Sequence, residues 1–178
     1  MKPVYIALSV IGLAGIILYR KQLKYAAQDA VTNVMGGDLT RNFSLSEFLR
    51  SDTADRLNAT EQYNPPAGVV QNLKHLAEEL QIIRDAFGKS MPVSSGYRCE
   101  VVNKAVGGVN SSAHLEGLAA DINMGSKAGN KALYDFVAEL VGQGKYSVDQ
   151  LINENNYSWV HFGYKANRSS YRNQVFAA

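Results

Sequence analysis

Cysteine, proline, tryptophan and histidine are all scarce in this chain of 178 residues: it has one Cys, four Pro, one Trp and three His. A lone Cys99 excludes an intrachain disulfide and any zinc site built from several cysteines. Only Arg98 stands beside it to activate a thiol, so Cys99 reads as a buried, inert side chain rather than a nucleophile. Charge of one sign is also lacking. Eighteen Lys and Arg against 16 Asp and Glu leave a net charge of +2. No stripe of basic residues interleaved with aromatics appears, so no nucleic-acid partner is expected. Internal repeats and low-complexity stretches are missing too, and the length suits one ordinary domain with an appendage.

Long apolar runs are absent except for one. Val4 to Tyr19 carries no charge; Lys2 precedes it, and Arg20, Lys21 and Lys24 follow. As a helix this run spans about 24 Å at 1.5 Å per residue. That nears the hydrocarbon core of about 30 Å if the flanking cations snorkel outward. A cleaved signal peptide is the competing reading, but Arg20-Lys21-Gln22 stands where a small-x-small cleavage site belongs. Residues 1–24 are therefore expected to be a single-pass transmembrane anchor, touching the membrane through residues 4–19. Its basic flanks lean weakly toward a cytoplasmic C-terminal domain. Residues 25–37 read as a stalk ended by Gly36-Gly37, and 38–178 as the functional domain.

Within that domain Ser44 and Glu47 have capping-box spacing ahead of a short helix. Asn64-Pro65-Pro66 breaks the chain. Val69, Val70, Leu73, Leu76, Ala77, Leu80 and Ile83 then recur at helical spacing up to Phe87-Gly88. His75 within this helix is expected at its surface or partly buried, not on a metal. Residues 91–96 read as a strand entering a turn, 120–124 as a short strand and 130–141 as a second amphipathic helix. Residues 148–152 and 158–162 read as paired strands joined by Asn153-Glu154-Asn155-Asn156, and the tail after Tyr164 is weakly patterned. The expected fold is α+β: a small, mostly antiparallel sheet flanked by helices, behind an N-terminal transmembrane helix.

Two of the three histidines fall in suggestive surroundings. His114, Asp121 and His161 offer two imidazoles and one carboxylate with no fourth protein ligand. Structural zinc sites are closed by four protein ligands, whereas catalytic ones use three and keep a place for water. Zinc lowers the pKa of that water to about 7. The trio therefore fits a metal-dependent hydrolase. By spacing alone it equally fits ordinary polar residues. A His and an Asp seven apart do not share a helical face, and Gly117 between them suggests a loop feeding a strand.

The surrounding motifs add a resemblance. Ser95-Gly96-Tyr97-Arg98, Asn103, Gly107-Gly108, Ser112-x-His114-x-x-Gly117-x-Ala119-x-Asp121 and Trp159-Val160-His161 occur in that order. With Asn42-Phe43-Ser44-Leu45-Ser46-Glu47-Phe48 and Arg84-Asp85-Ala86-Phe87-Gly88 upstream, they resemble the M15 family of zinc peptidases, D-alanyl-D-alanine carboxypeptidase type, over roughly residues 42–164. The resemblance implies Zn2+ held by His114, Asp121 and His161, and hydrolysis of D-amino-acid bonds in peptidoglycan stem peptides or crosslinks. It implies that Arg98 holds the substrate and its carbonyl, with Tyr97 and Ser112 as further substrate contacts. Family members commonly carry an acid three residues before the last histidine; here Ser158 stands there. Glu154 is the nearest carboxylate and matches a glutamate of some viral members, so it is the candidate general base, with Glu116 second. The implied setting is a bacterial envelope or the membrane of a phage virion. The Ser158 substitution also keeps open a non-catalytic zinc module, as in the hedgehog signalling domain, which resembles these peptidases in fold.

Overall fold

The computed structural model describes residues 37–178. The expected anchor over residues 1–24, and all of the stalk but Gly37, lie outside the described residues. Among the described residues no helix is long and apolar enough to cross a membrane.

A short hairpin of β1 (Asp38–Thr40) and β2 (Phe43–Ser44) leads into α1 (Leu45–Leu49). Glu47 accepts the Ser44 N–H at 2.9 Å, as the capping-box spacing requires. Helix α2 (Asp52–Leu57) starts on Ser51, whose hydroxyl accepts the Ala54 N–H. The long helix α3 (Ala67–Phe87) begins directly after Pro65-Pro66. It ends where Gly88 turns left-handed at φ +71° and donates its N–H to Arg84, the usual service of a C-terminal glycine. Its buried stripe is Leu73, Leu76, Ala77, Leu80 and Ile83, matching the helical spacing read from the sequence.

The main sheet has the strand order β3 (Val93–Ser95), β4 (Ala119–Ile122), β6 (Trp159–Gly163), β5 (Gln150–Glu154), β7 (Gln174–Ala177). Every neighbouring pair is antiparallel except β5 with β7. Between them come α4 (Glu100–Ala105), a 3-10 turn over Ala113–Glu116, and α5 (Lys127–Gly142), which packs on β5 and β6. Strand side chains alternate between faces. Ala120, Ile122, Leu151, Val160 and Phe162 bury one face in a core shared with α3 and with Leu133 and Val137 of α5. The α+β expectation and the mostly antiparallel sheet stand, but two readings are corrected. Glu154 belongs to β5, because its backbone pairs with Trp159. The turn is tightened into Asn155, Asn156 and Tyr157, all left-handed.

The tail after Tyr164 is likewise ordered. Strand β7 adds beside β5, and Tyr164 is buried with its hydroxyl 2.7 Å from that of Tyr146. Tyr146 donates to the buried Glu79 at 3.0 Å, and His75 meets the Tyr171 hydroxyl at 2.8 Å. Apolar patterning gives little hint of this docking, because backbone pairing with β5 and polar contacts carry much of it, beside the packing of Tyr164, Tyr171 and Val175 on the core. Asp149 is the second anchor. Only 4 % exposed, it accepts from Arg172 Nε at 2.9 Å and Nη2 at 2.6 Å, with Lys165 Nζ at 3.4 Å.

Burial opposes ionisation of Asp149, but the hydrogen bonds from Arg172 outweigh it and hold the carboxyl below its ordinary pKa. A depressed folded value means the stabilisation is complete above the unfolded pKa of about 3.9. It is lost as pH falls through the folded value. Melting curves of the native chain and Asp149→Asn should therefore differ most near neutrality. The gap should narrow steadily below about pH 4; a gap independent of pH would exclude this linkage.

Candidate metal centre

Three backbone elements bring the trio together. His114 sits in the 3-10 turn, which Gly117 closes at φ +69°. Asp121 and His161 are direct cross-strand partners on β4 and β6, so their side chains project from the same face. The row continues on both sides: Ser95 pairs with Asp121, and Ile152 pairs with His161.

The donor atoms form a tight triangle. His114 Nε2 lies 3.3 Å from His161 Nδ1 and 3.3 Å from Asp121 Oδ1, and His161 Nδ1 lies 2.9 Å from the same oxygen. Tetrahedral zinc with bonds of about 2.0–2.1 Å would set its ligands about 3.3 Å apart. The donor set therefore fits zinc in both chemistry and size. No other cluster of this kind occurs among the described residues.

The surroundings fix each donor. His114 Nδ1 is 2.6 Å from the Gly96 carbonyl, so that nitrogen carries the hydrogen and Nε2 is left with its lone pair. Burial pushes the His114 pKa down, which favours the neutral form a metal needs. Burial opposes ionisation of Asp121 as well. The two imidazoles overcome it and hold the carboxyl far below its usual range. Asp121 Oδ2 accepts from Arg98 Nη2 at 2.5 Å, and Arg98 Nε donates to Ser95 Oγ at 2.9 Å. Arg98 thus orients a ligand while still lining the cleft.

Gly96 is where the centre and the fold meet. A Cβ there would lie 2.6–2.8 Å from the Phe48 carbonyl oxygen, Cα and Cβ. Backbone cannot yield as a flexible side chain can. Gly96→Ala should cost about 1–3 kcal/mol of stability, as overpacked sites do. It should also lower zinc affinity by displacing the carbonyl that orients His114. Thermal melting with and without zinc checks both; unchanged melting and unchanged zinc affinity would contradict the packing argument.

A cleft runs on either side of the trio. One cavity, about 420 Å³, is lined by Ser95, Tyr97, Arg98, Asp121 and Trp159 among others. The second, about 480 Å³, includes Ser112, Gln150, His161, Lys165 and Arg172. Strand register ranks these along β6. The Trp159–Glu154 pair lies one row to one side of His161, and the Gly163–Gln150 pair one row to the other. Glu154 shares the face of His161 and is its diagonal cross-strand neighbour. Such pairs lie about 7–8 Å apart, within reach of long side chains.

Of the residues singled out in the sequence, Tyr97, Arg98 and Trp159 line the first cavity, and Ser112 and Glu116 the second. Ser158 is spent in the turn, its hydroxyl donating to the Asn155 carbonyl. Cys99 is buried, and burial pushes its thiol pKa up, away from nucleophilic use. His75 stays away from the metal cluster. Sequence reasoning missed Asp149, Lys165 and Arg172, which lie outside the motifs; only their ion-pairing chemistry could have signalled them.

The model of the family described as Peptidase M15 matches residues 41–162, which span β2 to β6 and all three donor residues. No curated protein matches the chain.

Proposed function

The chain belongs to the M15 peptidase family, and we propose that it is a zinc-dependent peptidoglycan peptidase. Its substrates in this reading are D-amino-acid-containing bonds of stem peptides or crosslinks. The observation that carries the proposal is the donor triangle of His114, Asp121 and His161, with Glu154 on the same sheet face. A purely structural zinc site closes its coordination with four protein ligands. Three donors, two of which, Asp121 and His161, line the cavities on either side, leave room for a substrate, and a carboxylate one row away provides a proton acceptor. That placement favours an enzyme over a non-catalytic zinc module.

The chemistry a bound zinc ion supplies here is polarisation of the scissile carbonyl and a lowered pKa for the attacking water. The protein does the rest. Glu154 takes the proton from the attacking water and returns it to the leaving amine, as a general base and then a general acid. Arg98 keeps Asp121 aligned through Nη2, and its remaining guanidinium donors point the same charge at the developing oxyanion. Tyr97 and Trp159 wall the substrate on that side, and Ser112 contacts it on the other. In the same reading, residues 4–19 tether the domain to a membrane of the bacterial envelope or a phage virion.

Purified stem peptides and crosslinked muropeptides, incubated with the zinc-loaded full chain and read by mass spectrometry, test this. Cleavage at one bond type, dependent on a D-residue and stopped by chelation, is the expected result. Equal cleavage of the all-L peptide would overturn the substrate assignment.

A further inference from the structure

The second cavity carries charges that the proposed chemistry leaves unused. Asp149, largely buried in its wall, receives Arg172 through Nε and Nη2 and holds Lys165 beside it. The side chains of Arg172 and Lys165 remain 46 % and 39 % exposed. Two cations on one carboxylate leave a surplus positive charge at this wall. Glu116, the other acid lining the cavity, is exposed and pairs with neither cation among the described contacts. Arg172 gives one edge of its fork to Asp149, so Nη1 remains as a donor. Lys165, whose Nζ also donates to the Ser170 carbonyl at 3.2 Å, adds a second positive charge. Gln150 and His161 line the same cavity, and Gly163 stands beside both: a side chain there would lie 3.4 Å from His161 Nε2 and 3.3 Å from Gln150. Both cations lie beyond the family match, which ends at residue 162.

We propose that this cavity binds a carboxylate on the substrate residue that follows the scissile bond, with Lys165 and Arg172 as its donors. The proposal rests on the zinc peptidase reading, which places the scissile bond at the donor triangle of His114, Asp121 and His161. The row beyond His161, toward Gly163 and Gln150, then receives the next residue. Its carboxylate has two sources: the C-terminal group of a terminal residue, or an acidic side chain in a longer peptide. The first makes the enzyme a carboxypeptidase, the second an endopeptidase.

Binding can be read without turnover, using the full chain as zinc-loaded Glu154→Gln. The probes are an acetylated D-Ala-D-Ala dipeptide, its C-terminal amide, and an amidated peptide with a glutamate after the scissile position. Calorimetry should show at least one carboxylate probe binding about tenfold tighter than the amide, the order expected of a charge-assisted contact. Adding Lys165→Met should cut that ratio to about threefold, and Arg172→Gln further still. Lys165 is partly exposed, so its variant tests the idea even where Arg172→Gln, which strips a buried Asp149, fails to fold. A ratio near one, or one unmoved by Lys165→Met, overturns the proposal. Selective binding with no cleavage by the native chain would sink the peptidase reading alone. Cleavage without selectivity would sink only this subsite.

Discussion

Glu154→Gln should lower kcat for stem-peptide cleavage by about 10²–10⁴-fold, the usual contribution of a positioned proton-transfer group. KM and zinc content should stay near those of the native chain. The split follows from position. Glu154 is in β5, fixed by its pairing with Trp159, and is not among the three donors of the metal cluster. Glutamine keeps the shape and the strand but cannot accept a proton. If kcat survives the change, the proton acceptor lies elsewhere, and Glu116, which lines the second cavity, is tested next. If zinc is lost, Glu154 is acting on the metal site and the assigned role is wrong.

His114→Ala should abolish cleavage for a different reason, through loss of the metal. The imidazole is only 3 % exposed, and its Nε2 forms two of the three sides of the donor triangle. Removing it leaves two donors and a cavity. Asp121 keeps Arg98 as a partner, so the fold has a charge balance to fall back on. Metal analysis after dialysis should find far less than one zinc per chain, with circular dichroism still showing a folded domain. Native zinc content in that variant would mean that the metal is held elsewhere.

These two expectations depend on features that differed greatly in how visible they were in the sequence. Helix α3 was readable because Leu73, Leu76, Ala77, Leu80 and Ile83 all point to one core and Gly88 stops the turn. The donor trio was readable from residue type and motif order. Its geometry was not, because strand register puts Asp121 opposite His161, and register is a property of tertiary pairing. The sequence pattern puts Glu154 in a connection between strands. The asparagines around it look like loop residues, yet the left-handed turn is confined to Asn155, Asn156 and Tyr157. The C-terminal segment was least legible. Strand β7 is short and largely exposed, and what docks the segment is its backbone pairing with β5 and a set of long-range polar contacts: Asp149 with Arg172, and Tyr171 with His75 and Glu79. Periodicity reports apolar faces and is blind to such pairs.

The most direct measurement titrates zinc into the chelator-stripped full chain while following cleavage of a D-Ala-containing muropeptide. Cleavage should rise in proportion to zinc up to one equivalent per chain and then level off. A folded chain that takes up one equivalent of zinc at His114, Asp121 and His161 and still cleaves no muropeptide would contradict the account.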